Sequence, residues 1–93
     1  MLSLERKNAT KTHMGMKEAL AQRLEYLGWS DYKLTQEVCK LRGEPDAFRR
    51  YYSSIRSAVE NPEKTQLQTI AEIIQVMDGD LSIRWRNIEE VKL

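Results

Sequence analysis

Between residues 49 and 57 the chain sets Arg49, Arg50, Ser53, Arg56 and Ser57 at spacings that share one side of a helix. Tyr51 lies at the border of that side. Arginine bonds guanine O6 and N7 through two parallel hydrogen bonds, and it pairs with phosphate. Serine reaches phosphates or base edges with a short side chain. Together these residue types supply the chemistry of a surface that reads double-stranded DNA through the major groove. The plainer reading of the same residues is a solvated helix face.

Catalytic chemistry has little to draw on. The one histidine, His13, and the one cysteine, Cys39, are far apart in the chain. No Ser/His/Asp or Cys/His arrangement can be assembled from them, and no glycine-rich phosphate loop occurs. One Cys and one His fall short of four zinc ligands. Glu89, Glu90, Asp78 and Asp80 fall in a turn or tail, where carboxylates are solvated. The sequence therefore predicts no enzyme, no metal and no cofactor.

The elements that hold the arginine face are legible from periodicity. Leu20, Leu24 and Leu27 mark a first helix over about residues 16–27, and Gly28 suits its left-handed end. Trp29 packs over that end. Ser30 or Asp31 caps a second helix, whose inward stripe is Leu34, Val38 and Leu41, with Cys39 buried beside it. Gly43 ends it and Pro45 confirms the break. The third helix starts near Pro45 or Asp46, spans about residues 46–59, and turns Phe48, Tyr52, Ile55 and Val59 inward. Asn61-Pro62 breaks it. A fourth helix follows at once over about residues 63–77, with Leu67, Ile70, Ala71 and Ile74 on one face.

After Asp78-Gly79-Asp80 the period changes to two. Leu81, Ile83 and Trp85 alternate with Ser82, Arg84 and Arg86, a strand with one apolar face. A lone strand leaves its backbone unpaired. Either residues 90–93 return as a second strand after a turn near Asn87, or the strand pairs with its copy in a symmetric dimer.

Ninety-three residues, 41% hydrophobic and 31% charged, make one globular domain with a small core, for which an oligomer is a reasonable prior. The net charge of +1 is unevenly spread. Residues 1–59 hold 11 Lys/Arg against 7 Asp/Glu, and residues 60–93 hold 4 against 7. That asymmetry suits one face for a polyanion. Residues 1–13, with Arg6, Lys7, Lys11 and His13, read as a flexible basic tail. No apolar run approaches the roughly 18 residues of a membrane helix. With no signal-like stretch and a single cysteine, the expected compartment is the cytoplasm.

The order of these pieces resembles the lambda-repressor-like (XRE-type) helix-turn-helix family. Asn61-Pro62 followed by Leu67, Ile70, Ala71 and Ile74 is similar to that family's stretch from the recognition helix through its fourth helix. Leu20, Leu24, Gly28, Ser30, Leu34 and Val38 resemble its first helix and the start of its second. The resemblance spans about residues 16–83. It implies a mostly α, compact domain of four to five helices with a short C-terminal strand or hairpin, its third helix in the major groove. It further implies groove-facing or phosphate-facing roles for Tyr51, Ser53, Arg56 and Ser57, and Tyr52 falls at such a position too. Asp31 stands where the family often has a phosphate-binding glutamine, which leaves Tyr32 or Lys33 for that contact. The chain departs from the family in an extra segment, about residues 40–50, which lengthens the second helix, extends the start of the third or forms a loop between them. It either adds Arg42, Arg49 and Arg50 as phosphate contacts or pushes the third helix out of groove-reading geometry.

The expectation is a sequence-specific DNA-binding regulator, residues 14–79 forming the DNA-binding domain and residues 80–93 an extension for dimerisation. The expected DNA contacts are Lys33, Arg42, Arg49, Arg50, Tyr51, Ser53, Arg56 and Ser57. The alternative is a protein-interaction module, such as an antitoxin or adaptor, that docks a partner through the C-terminal strand and Trp85.

Overall fold

The computed structural model describes residues 15–85 and the strand Glu90–Lys92. The expected basic tail and Arg86 lie outside the described residues. The chain is mostly helical: α1 (Met16–Leu27), α2 (Asp31–Leu41), α3 (Phe48–Glu60), a 3-10 turn (Pro62–Lys64), α4 (Leu67–Val76), β1 (Ser82–Arg84) and β2 (Glu90–Lys92). Among the described residues no helix is long and apolar enough to cross a membrane.

Each helix contributes a stripe to one core. Leu20 and Leu24 come from α1, Leu34 and Val38 from α2, Ile55 and Ala58 from α3, and Ile70 and Ile73 from α4, with Met77 beyond it. Trp29 and Leu27 pack against this cluster, as the spacing predicts. Cys39 is fully buried, and burial pushes its thiol pKa above the ordinary value, so it stays a neutral apolar filler. Buried Thr35 satisfies its hydroxyl by donating to the Asp31 carbonyl at 2.8 Å.

The helix ends follow their local chemistry. The Ser30 hydroxyl accepts from the Lys33 amide at 3.1 Å and caps α2. Gly43 takes a φ of 76° after α2, while its amide bonds Lys40 O and the Glu44 amide bonds Cys39 O. That paired closure needs a residue in the left-handed region, which glycine enters without a Cβ clash. The same closure ends α4 with Asp78 at φ 67°.

Several sequence expectations shift. The third helix begins at Phe48, not Pro45 or Asp46, because residues 44–47 form a turn closed by the Ala47 amide on Glu44 O. The fourth begins at Leu67 rather than Glu63, because Thr65 is extended after the 3-10 turn. Leu67 and Leu41 are therefore terminal residues of their helices and stay exposed instead of joining the core. On α3 the inward face is rotated toward Tyr51. Ile55 and Ala58 are buried and Tyr51 and Val59 pack on the core, whereas Phe48 and Tyr52 are only half-buried. Ala58, fully buried, escaped a pattern built on large side chains.

Of the two ways to pair the C-terminal strand, the hairpin is the one found. β1 and β2 run antiparallel with Ser82 opposite Lys92, Ile83 opposite Val91 and Arg84 opposite Glu90. The exposed Ile83 and Trp85 show that this strand's expected apolar face is open in the single chain.

Candidate nucleic-acid interface

The surface of α3 that turns away from the core carries Arg49, Ser53, Arg56 and Ser57, all exposed. These residues recur at steps of three and four, so they form one stripe opposite Ile55 and Ala58. The first acid on that stripe is Glu60, the last residue of the helix. The N-terminal turn of α2 lies alongside. The Arg56 Nε stands 3.7 Å from the Asp31 carboxylate, and the Tyr32 ring meets Phe48 with centroids 4.4 Å apart.

The cations of this face are held to different degrees. Arg49 has no ion pair or hydrogen-bond partner among the described residues and is exposed. Arg56 is long of hydrogen-bond range from Asp31 and lies 5.7 Å from the centre of the Tyr52 ring. Arg50 pairs with Glu44 at 3.1 Å on the exposed side of the turn. Lys33 pairs with Glu37 at 2.9 Å, one helical turn along α2. The Lys33 hydrogen bond, then that of Lys40, holds the Glu37 carboxyl below its ordinary pKa. Exposed pairs of this kind contribute only about 0–1 kcal/mol, so a phosphate can take these cations over at little cost.

Arg42 and Tyr51 belong to a different place. The Arg42 guanidinium donates two hydrogen bonds to one Glu72 oxygen, from Nε at 3.0 Å and from Nη2 at 2.6 Å. Both side chains are less than a fifth exposed. The hydrogen bonds to Glu72 raise the Arg42 pKa further, so the guanidinium stays charged. The Tyr51 ring lies 4.5 Å from this guanidinium, and its hydroxyl donates to Glu44 at 3.0 Å. These contacts tie the turn after α2 to α3 and α4.

The segment of about residues 40–50 is thus the end of α2, a turn of residues 42–47 and the first turn of α3. It splits the eight expected contacts. Arg49, Ser53, Arg56 and Ser57 share the α3 stripe, and Lys33 lies on the neighbouring turn of α2. Arg50 flanks the stripe, pulled toward Glu44. Arg42 and Tyr51 are drawn toward Glu72 and the core. Sequence reading missed the ring cluster of Tyr32, Phe48 and Tyr52. Phe48 and Tyr52 were legible as an i, i+4 pair on one helix, but Tyr32 has no apolar residue three or four positions further on in α2, and its partners come from another element.

Among the described residues no three His, Cys, Asp or Glu side chains gather into a metal-holding group. Comparison with family models, with curated proteins and with solved structures gives no match to this chain.

Proposed function

We propose that this chain is a sequence-specific DNA-binding regulator of transcription, acting in the cytoplasm as a homodimer, with the outer stripe of α3 in the major groove. The observation that carries the reading is the run of Arg49, Ser53, Arg56 and Ser57 on an exposed stripe with no acid before Glu60. The core holds the opposite side of that helix through Ile55 and Ala58, so the stripe is presented rigidly. The helix order and the Asn61-Pro62 turn support the resemblance to lambda-repressor-like proteins, which place their third helix in this way. Arg49 and Arg56 are the base or phosphate contacts; Lys33 and Arg50 serve phosphates after release from Glu37 and Glu44. Asp31 opposes phosphate and sets the limit on how closely the start of α2 approaches the backbone.

Selection from a random duplex library at two salt concentrations tests this. The reading expects a palindromic motif and an affinity that falls steeply with salt, by a log–log slope of about 0.9 per phosphate contact. Weak binding with no enriched motif would refute it.

A second reading has its own observation. Trp85 is 54% exposed and Ile83 is exposed beside it on the hairpin. An adaptor or antitoxin would dock a protein there. Deleting residues 81–93 then abolishes partner capture while α1 to α4 stay folded; capture by the shortened chain counts against it.

A further inference from the structure

Three aromatic rings bridge α2 and α3 at the edge of the proposed groove face. Phe48 and Tyr52 stack with centroids 5.0 Å apart and 21° between planes. Tyr32 crosses Phe48 at 4.4 Å and 42°, and Tyr52 at 6.5 Å and 62°. The rings pack on one another rather than joining the core. Tyr32 is 55% exposed, while Phe48 and Tyr52 are half-buried. Neither the Tyr32 nor the Tyr52 hydroxyl has a hydrogen-bond partner among the described residues.

An apolar strip left open to water calls for an occupant, and its surroundings say which. Arg56 lies 5.7 Å from the centre of the Tyr52 ring, and Arg49, on the turn of α3 that carries Phe48, is exposed and has no ion-pair or hydrogen-bond partner among the described residues. Asp31 is already beside Arg56. Cations flanking an apolar strip suit a polyanion that carries an apolar group, and in the major groove that group is the C5-methyl of thymine. Phe48 has a ring against it from each neighbour, so the strip offers ring edges, which fit a methyl better than a stacked, unpaired base. The rings hold one another in place, so little side-chain freedom is lost on contact.

We propose that the Tyr32–Phe48–Tyr52 strip reads a thymine methyl at the flank of each half-site, making it a specificity element of the DNA-binding face. This rests on the reading of α3 as a groove helix.

The test replaces each thymine of the selected duplex with uracil, one at a time. Base pairing is kept and only the methyl is deleted. At one thymine per half-site the wild-type chain should lose about fourfold to tenfold in affinity, the worth of one buried carbon. Tyr32→Ala should bind the thymine duplex as weakly as wild type binds the uracil duplex, and be indifferent to the exchange. Tyr32 is exposed and outside the core, so the variant keeps its fold. Tight binding to a selected duplex with no uracil effect at any position overturns the methyl reading and leaves DNA binding standing. So does a selected site without thymine, or a uracil effect that survives in Tyr32→Ala. Enrichment of no duplex at all overturns both.

Discussion

Two arginine sites face each other across α3 and end in opposite conditions. On one side Arg42 meets Glu72 and the Tyr51 ring, less than a fifth exposed and doubly hydrogen-bonded. On the other, Arg49 is unpaired among the described residues, and Arg56 is 60% exposed with an acid at 3.7 Å. The residue type is the same and the distance along the chain is small. What differs is whether the fold delivers a carboxylate within bonding distance in a sheltered place. A guanidinium that is paired and sheltered joins structure, because leaving it unpaired is costly. One that is exposed and loosely held keeps its charge for a ligand.

The largest effect should come from breaking the sheltered site. Glu72→Ala strands the Arg42 guanidinium, and the chain should lose about 1.5–3 kcal/mol of stability. The urea midpoint reports this, with the slope of the transition unchanged. An unchanged midpoint would erase the distinction between the two sites.

Arg56→Ala is the converse. Stability should stay within about 0.5 kcal/mol. Affinity for a selected duplex should drop by about 1–3 kcal/mol if the guanidinium bonds a guanine. Arg49→Ala should lower the salt slope by about one if Arg49 serves a phosphate. Isothermal titration at two salt concentrations separates these roles.

Asp31→Asn sharpens the comparison in the other direction. Removing the one acid beside Arg56 should raise duplex affinity about two- to fivefold, consistent with an exposed pair worth about 0.2–1 kcal/mol. Stability should fall slightly, by about 0.3–1 kcal/mol, because Asp31 sits in the first turn of α2.

The smallest effect concerns Glu37, the acid that holds Lys33. Its folded pKa is depressed, so its contribution is fully present above the unfolded value and is lost as pH falls through the folded one. An acid titration of stability should therefore show a decline below about pH 4.5 that Glu37→Gln makes slightly smaller. Both side chains are partly exposed, so added salt should flatten that contribution too.

Much of this molecule was legible in the chain itself. The stripes Leu20/Leu24, Leu34/Val38 and Ile70 report helical burial directly, and Gly28, Ser30 and Gly43 punctuate the helices where their backbone and side-chain chemistry requires. The change of period at Leu81 marks the strand. The partners of Arg42 and Tyr51 were not legible in the sequence for a common reason. Local periodicity says which side of a helix a residue occupies, but Glu72 lies 30 residues from Arg42, and only the packing of α2, α3 and α4 brings them together. The same holds for the strip of three rings. Tyr32 and Phe48 are 16 residues apart, and Phe48 and Tyr52 alone resemble an ordinary core stripe.

The most direct measurement is an amide chemical-shift footprint of the labelled chain as a selected duplex is added. The account predicts that the amides of residues 30–33 and 48–57 move or broaden, while those of residues 42–44 and 66–72 stay in place. Perturbation concentrated around Arg42, Gln66 and Glu72, with the α3 stripe silent, would contradict it.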